Sequence, residues 1–356
     1  MPSDTRDMSD SLPHSINSAT RSIHTKLNKL VVSRLRLALP PQVDDASQYV
    51  SGLLHLTPVY ITFESLWRAL LDKSDQQDSH DCNEDLVCAT LNSAGDSNAF
   101  NNVKDFKGGK GVIRSEIKTL LENLHFEGLQ RSRALQNDLF SLTNWSNRTL
   151  AEKLNDATEL PVLGEFINHI KTNIGESPHT LLAYAWVLYM ALFSGGRFIR
   201  ATLENIFTDF WIPASAQPAT PPETARAAFI TDNVPGALPF HFFRFDTPDD
   251  GEDLKLEFKR RLAESESILN AQEREEIVQE AQNIFQYMIR LVGELDYICG
   301  TDEEAAEARL LSLRSRDSVV VEKERRQHYT KLARKIMGED TKANPKENGV
   351  GRVKFN

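Results

Sequence analysis

The most informative segment of the chain is residues 181–200, which read LLAYAWVLYMALFSGGRFIR. Apolar side chains surround this predicted helix on every side, and such a helix is buried in a protein core. Gly195 and Gly196 interrupt it. Each glycine inside a helix costs about 1 kcal/mol relative to alanine, and such a pair favours a kink. Two explanations remain open: close packing against another helix, or a backbone surface that must approach a flat ligand.

The remaining sequence has the three- and four-residue spacing of amphipathic helices. In the first helix the apolar residues run from Ile16 to Leu35, and Pro40-Pro41 ends the pattern. Pro161 and Pro178 occupy positions typical of a first helical residue. Further helices are predicted over residues 46–71, 112–140, 161–174, 178–208, 250–266, 272–298 and 303–336. Strands nowhere alternate with helices, so the predicted fold class is all-α.

Composition divides the chain into one domain and several flanking segments. Residues 14–300 are predicted to form a single multi-helical domain. Within it, residues 72–111 are rich in Ser, Asp, Asn and Gly and are predicted to be a flexible insertion. The flanking segments are a disordered N-terminus (1–13), a C-terminal helical extension (301–336) and a disordered tail (337–356).

Charge and cysteine content exclude several classes of protein. The 356 residues include 41 Lys and Arg against 51 Asp and Glu, a net charge of −10, which disfavours nucleic acid as a partner. Three cysteines indicate a reducing compartment. No signal peptide precedes the domain, and the apolar run 181–196 is shorter than the roughly 18–20 residues of a membrane span. We therefore expect a cytoplasmic, intracellular protein without a transmembrane anchor, associated with the endoplasmic reticulum at most peripherally.

Two further features could be structural or functional. His24 lies beside the apolar stripe of the first helix, where a neutral imidazole is either a core residue or a metal ligand. Lys255 and Lys259 are four residues apart on one helical face beside Phe258 and Leu262. Such a pair is either part of a solvated face or a binding site for the carboxylates of an amphiphilic ligand.

These features together resemble heme oxygenase, specifically its fungal branch, over most of residues 15–297. TRSIHT resembles the helix of the proximal histidine, and the distal helix with its Ser-Gly-Gly corresponds to residues 184–200. The matching segments are residues 20–25, 126–139 with LQRSRALQNDL, 184–200, 242–245 and 279–285 with QEAQNIF. The order and spacing of these segments over five helices carry the resemblance.

The resemblance assigns the iron and the distal wall to particular residues. His24 would be the metal ligand, the axial ligand of the heme iron. Gly195 and Gly196 would let the distal helix lie over the porphyrin as part of the catalytic wall. Ala191 and Trp186 on the same helix would contact the cofactor.

The heme edge and the pocket wall are assigned in the same way. Arg21, Lys255 and Lys259 would hold the propionates, and Phe285 would line the pocket. Heme b would be both cofactor and substrate. In the family, dioxygen and electrons from NADPH, delivered by a cytochrome P450 reductase-type donor, convert heme to biliverdin, carbon monoxide and ferrous iron. A neutral histidine leaves the sixth iron position open, and a glycine-lined wall bends dioxygen toward one edge of the ring.

Four positions depart from the better-known members of the family. Leu192 stands where they carry an aspartate that holds a proton-delivering water, and Leu188 replaces an arginine of the same network. Ala191 replaces a glycine, and Asn28 replaces the carboxylate four residues after the histidine, which makes the ligand less electron-donating. Arg197, which follows the glycines, is our candidate residue to order water instead.

These departures keep two alternatives to an active heme oxygenase open. The first is a catalytically impaired heme-binding protein that acts as a sensor or carrier, which Leu188 and Leu192 favour. The second is a helical interaction scaffold that has lost heme. His24, Gly195 and the basic helix argue against the scaffold, because a scaffold needs no axial histidine.

Overall fold

The computed structural model describes residues 11–72, 113–213 and 238–300. The helices are α1 (Leu12–Leu37), α2 (Ser47–Asp72), α3 (Ser115–Leu124), α4 (Ser132–Thr143), α5 (Asn147–Thr158), α6 (Pro161–Glu176), α7 (Pro178–Glu204), α8 (Glu252–Ser265) and α9 (Ala271–Ile298). No strand occurs among the described residues, which confirms the predicted all-α class. The contacts divide the chain after Cys299, and these helices belong to the first unit.

Local sequence signals begin several of these helices. Pro161 is the first residue of α6, and Pro178 opens the 3₁₀ turn that begins α7, as predicted. The Ser11 side chain accepts from the His14 N–H at the start of α1. A capping box of Asn270 and Glu273 begins α9. Each of these residues satisfies or removes a backbone N–H that has no partner inside the helix.

The helices pack in two groups, one around α9 and one around α2. α1 packs along α9, and α2 packs against α4, α5 and α6, while the first part of α7 contacts both α9 and α2. The centre of the core includes Phe63, Trp67 and Phe166, each at most 1% exposed. The helix predicted from the segment at 181–200 is therefore part of this core, as its uniform apolarity indicated.

The structure corrects one predicted helix and adds a helix that was not predicted. Residues 112–140 contain α3 and α4 instead of one helix, because the chain turns between them at Gly128, whose φ of 89° is left-handed. α5 was not predicted, since its sequence is mostly polar and its buried residues are Leu150, Leu154 and Ala157. The N-terminus to residue 10, most of the 72–111 insertion, the 301–336 extension and the 337–356 tail lie outside the described residues.

One helix of the described chain, α7, is long and apolar enough to cross a membrane by length and composition alone. The sequence prediction had judged its apolar run too short. In the structure 61% of the most apolar window is buried within the protein, which is typical of a core helix.

A buried carboxylate positions the aromatic segment between α7 and α8. Asp138 on α4 is fully buried and accepts the main-chain N–H groups of His241 at 2.8 Å and Phe242 at 2.9 Å. The resulting 3₁₀ turn, His241–Phe243, contacts α4 and the last part of α7. The ring of Phe243 thereby lies against Gly196.

The contact between α6 and α9 predicts a pH dependence of stability. The Nε2 atom of His169 lies 3.0 Å from a carboxylate oxygen of the buried Glu280, and this hydrogen bond raises the pKa of His169. A histidine whose pKa is higher in the folded state stabilises fully below its unfolded pKa of about 6.5, and this stabilisation is lost as pH rises through the folded value. Between about pH 6 and pH 8 the free energy of unfolding should therefore fall more in the wild type than in His169→Gln.

Urea denaturation of both proteins at the two pH values measures this difference. The pKa of His241 is raised by its hydrogen bond to Asp138, and that of His55 is lowered by burial. Both effects are present in the two proteins and cancel in the comparison. An equal loss of stability in wild type and variant would contradict the prediction.

Candidate functional site

His24 presents its imidazole at the surface of α1. The residue is exposed, and its ring lies against Phe285 of α9 with a centroid distance of 5.4 Å and an interplanar angle of 49°. In the described part of the chain no hydrogen bond occupies either ring nitrogen, and Asn28 does not contact it through one. A positioned imidazole with free nitrogens can serve as a metal ligand, and the alternative of a core histidine is excluded by its exposure.

α7 departs from α-helical geometry twice. After the 3₁₀ turn Pro178–Thr180, the segments Ala185–Tyr189 and Leu192–Gly196 are π-helical, and the α-helix resumes at Arg197. Single-turn π segments occur mostly within α-helices and frequently at functional sites. The distortion predicted at the glycine pair therefore takes the form of a π segment.

The two glycines face different surroundings. A Cβ added to Gly195 would meet no atom within 4 Å, whereas one added to Gly196 would lie 3.3 Å from Phe243 Cδ1. Ala191, Ser194 and Gly195 are exposed, although most of α7 is buried. Gly196 therefore permits close packing, here against Phe243. Gly195 belongs to an open face made of Ala191, Ser194 and Gly195, and the approach of a flat ligand to that face remains a prediction.

This contrast predicts a different effect of alanine on stability at each position. Gly195→Ala should raise the free energy of unfolding by up to about 1 kcal/mol, because alanine is the better helix former and nothing obstructs its methyl group. Gly196→Ala should gain little or lose stability, since Phe243 must move by a few tenths of an ångström. Urea denaturation of the two variants without any ligand tests this. A larger gain at Gly196 than at Gly195 would contradict it.

Trp186 on α7 contacts two other helices that carry predicted site residues, α1 and α8. Its indole N–H donates to Asn17 Oδ1 on α1 at 3.3 Å, and its ring lies 6.5 Å from that of Phe258 on α8. Asn17 precedes His24 by seven residues, which is two helical turns on the same face. The structure therefore places α7 beside the histidine-bearing face of α1.

The two predicted lysines of the site lie on α8. Lys255 is partly buried and pairs with Glu252 at 3.0 Å, and Lys259 is exposed. Glu252 also lies 3.5 Å from Arg197, so the start of α8 lies near the last part of α7. Arg21, three residues before His24, is exposed. The structure thus leaves the three predicted cations within reach of solvent, two on α8 and one on α1.

Arg197 has partners that sequence reasoning did not anticipate. Its guanidinium donates to the main-chain carbonyls of Asp249 at 3.2 Å and Asp250 at 2.9 Å. Arg200, one turn later, forms a two-pronged contact with the Asp250 carboxylate, which lowers the pKa of Asp250. In this structure Arg197 therefore holds the loop that leads into α8, and its role in ordering water remains a prediction.

The leucines that depart from the familiar distal motif are buried. Leu188 is 4% exposed and Leu192 is 5% exposed, so their side chains belong to the core. The main-chain carbonyl of Leu188 accepts the Tyr60 hydroxyl at 3.1 Å. The polar group that contacts α7 beside these leucines is therefore the Tyr60 hydroxyl of α2.

A buried carboxylate extends this polar arrangement, and sequence reasoning missed it. Glu64 on α2 is 2% exposed and accepts hydrogen bonds from the Tyr189 hydroxyl, the Arg131 main-chain N–H, and both the N–H and hydroxyl of Ser132. Burial raises the pKa of Glu64, and its hydrogen-bond donors oppose that rise. The available signal was an acidic residue within the mostly apolar stretch 56–67 of α2, four positions after Tyr60.

Several known proteins are similar to this chain. Heme-binding protein HMX1 of Saccharomyces cerevisiae is 29% identical over 187 residues, which are 51% of this chain and 54% of that protein. The chain spans about half the length of the curated relative it matches. Heme oxygenase 2 of Chlamydomonas reinhardtii, in a crystal structure without heme, is 18% identical with a TM-score of 0.50, covering 80% of this chain and 97% of that chain. Heme oxygenase-2 of Synechocystis sp., in complex with heme and NO, is 16% identical with a TM-score of 0.47, covering 81% and 86%.

The structural likeness to the algal protein shows a shared all-helical fold. A family profile described as heme oxygenase matches residues 113–294, half of the chain. The matched half contains α7 with its glycine pair, α8 with its lysines and the part of α9 that carries Phe285. From this match it follows that the chain belongs to the heme oxygenase family.

Proposed function

We propose that this chain binds heme b and cleaves it oxidatively to biliverdin, carbon monoxide and ferrous iron. The observation that carries the proposal is the pairing of an exposed imidazole, His24, with an open small-residue face at Gly195 on the neighbouring helix. Family membership and the similarity to a yeast protein whose name states heme binding support it.

The residues present fit a heme group. His24 offers a nitrogen with no hydrogen-bond partner in the described chain, and Phe285 supplies an aromatic wall beside it. The missing side chain of Gly195 leaves space that a flat ring can occupy. Lys255 and Lys259 supply positive charge for two carboxylates at the heme edge.

Each of these groups has a separate task in the proposed reaction. Bound heme supplies the iron at which dioxygen reacts and the ring that is opened. His24 would ligate the iron, and Phe285 would keep water from one side of the imidazole. Gly195 would let the helix backbone approach the ring closely, and Lys255 and Lys259 would hold the propionates.

A second candidate function is heme binding without turnover, as a sensor or carrier. Leu188 and Leu192 favour it, because apolar side chains buried in the core cannot hold the water that delivers a proton in the better-known members. Heme affinity alone does not separate the two functions, and product formation does.

The test is a turnover assay on the hemin complex, with NADPH, a cytochrome P450 reductase-type donor and oxygen. A heme oxygenase loses its Soret band while a bilin band grows, and it releases carbon monoxide. A stable spectrum without bilin would reject the oxygenase and leave the sensor or carrier. Failure to form a Soret band on adding hemin would reject both.

A substitution at the open face provides the matching structural test. Gly195→Leu should weaken hemin binding by about tenfold or more, because losing close contact with the ring forfeits at least about 1.4 kcal/mol. Gly52→Leu is the control, since a Cβ at Gly52 on α2 also meets no atom within 4 Å. Hemin titration followed at the Soret band measures both. Equal affinities of the two variants would contradict the assigned face.

The proposed electron donor and location follow from the proposed reaction. Oxidative cleavage requires electrons from outside the chain, and a reductase fed by NADPH is the donor class that we propose. We propose a cytoplasmic location with access to that donor. Pull-down of the reductase by the hemin-loaded protein, together with cell fractionation, tests both proposals.

A further inference from the structure

The first π segment of α7 is anchored from outside by side chains of α1 and α2. The segment is Ala185–Tyr189, and it lies two residues before the open face of the helix begins. The anchoring hydrogen bonds are Trp186 Nε1 to Asn17 Oδ1 (3.3 Å), Tyr60 Oη to the Leu188 carbonyl (3.1 Å) and Tyr189 Oη to Glu64 Oε1 (3.1 Å).

Tyr60 differs from the other anchors because it bonds to the helix backbone. Its hydroxyl donates to the Leu188 carbonyl, and the side chain is only 2% exposed. Helices bend where a side chain enters the hydrogen-bond ladder, and π geometry spreads one turn over more residues than an α-helix does. The Tyr60 hydroxyl gives the Leu188 carbonyl a hydrogen-bond donor in a part of the core where Leu188 is only 4% exposed to water.

The π segment determines which residues after it face the cleft, the space in front of Ala191, Ser194 and Gly195 in which the proposed ligand would lie. Each residue of a helix turns the chain by about 100°. If residues 185–189 relaxed toward α geometry, the helix beyond them would rotate relative to its beginning. Ala191, Ser194 and Gly195, which form the open face, would then turn to another side of the helix, and bulkier neighbours would replace them.

We propose that Tyr60 is a positioning residue for the cleft. Its hydrogen bond to the Leu188 carbonyl holds the π segment and thereby directs the open face (Ala191, Ser194 and Gly195) toward the bound ligand. Its effect on the ligand rests on the proposed function, whereas its effect on the helix is a property of the protein alone. Tyr60 touches α7 through this carbonyl and acts on the cleft through α7.

A matched pair of variants tests the proposal. Tyr60→Phe removes only the hydroxyl that bonds to Leu188. Tyr49→Phe removes an equivalent hydroxyl from the same helix, and that hydroxyl is buried without a hydrogen-bond partner in the described chain. The two tyrosines are 2% and 6% exposed, so the variants differ mainly in the one hydrogen bond.

Amide hydrogen exchange of the heme-free proteins is the primary measurement. In Tyr60→Phe the amides of residues 185–196 should exchange about tenfold faster than in the wild type, which corresponds to a change of roughly 1.4 kcal/mol in local opening. In Tyr49→Phe the same amides should stay within about twofold of the wild type. Equal exchange rates in the two variants would overturn the proposal.

The hemin complex provides two further measurements, the hemin release rate and the Soret maximum, which a loss of overall stability alone would not change. Tyr60→Phe should release hemin about tenfold faster and shift the Soret maximum, while Tyr49→Phe should do neither. An unchanged release rate and spectrum in a Tyr60→Phe protein with faster exchange would overturn the link to the cleft. If the wild type itself binds no hemin, the proposed function fails, and the exchange comparison still decides the role of Tyr60 in α7.

A measurement on the wild type covers the case in which Tyr60→Phe does not fold. If the anchors hold the π segment, its amides should be protected as well as those of the preceding α-helical turn, Leu181–Tyr184. Rapid exchange confined to residues 185–192 of the unmodified protein would mean that the segment is not held, and the proposal would be wrong.

Discussion

His24→Ala is expected to bind hemin about 100-fold more weakly than the wild type or worse, since loss of outer partners of a ligand alone costs about 10–100-fold. The imidazole is the one iron ligand that we assign, and its ring is exposed beside Phe285. The fold should be unaffected, because the side chain has no hydrogen bond to lose and alanine is a better helix former than histidine. Thermal unfolding without hemin should therefore be unchanged.

The measurement is a Soret titration with hemin, repeated in the presence of imidazole. Free imidazole should restore much of the wild-type spectrum in His24→Ala, because it can enter the cavity left by the side chain. His14→Ala is the control, since His14 is an exposed histidine at the start of the same helix. A normal Soret band in His24→Ala, or its loss in His14→Ala, would place the ligand elsewhere.

Glu64→Ala is expected to cost roughly 3–5 kcal/mol of the free energy of unfolding, as for other broken buried polar networks. The substitution removes the acceptor of hydrogen bonds from Tyr189, Arg131 and Ser132. The two main-chain donors lie at the start of α4, so the helix also loses the negative charge that favours its N-terminus. Donors left buried without an acceptor carry most of the cost.

Urea denaturation of the heme-free protein measures this loss. Glu152→Ala is the control, because Glu152 is exposed in an ion pair with Arg148, and such surface pairs contribute less than about 1 kcal/mol. Glu64→Gln should fall between the two, since an amide keeps one oxygen acceptor but places an N–H₂ group among donors. A Glu64→Ala protein as stable as Glu152→Ala would show that the network does not hold α2, α4 and α7 together.

The Glu64 and His24 substitutions should differ in their effect on α7. Glu64 and Tyr60 are one turn apart on α2, and both reach the π segment that precedes Gly195. Glu64→Ala should therefore also weaken hemin binding, although Glu64 lies in the core. His24→Ala should leave the helix unchanged and remove only the ligand.

Much of the helical framework could be predicted from local patterns. Apolar periodicity and the prolines at 161 and 178 identified most of the helices, and the uniform apolarity of residues 181–200 identified the core helix. These signals depend on neighbours within a few residues, so a single sequence contains them. α5 escaped detection because its face is mostly polar, and the break at Gly128 because one residue with positive φ separates two helices of similar pattern.

The candidate site likewise has features that the sequence predicts and features that depend on tertiary contacts. The sequence by itself was enough to select His24, the glycine pair and the basic helix as candidate residues and, through their order, to predict the family. Only the tertiary structure decided that Gly195 faces open space while Gly196 packs under Phe243, and that Tyr60, Glu64 and Asn17 hold the distal helix. The physical reason is distance along the chain: Tyr60 and Leu188 are 128 residues apart, and no local pattern specifies which distant backbone atom a buried hydroxyl will meet.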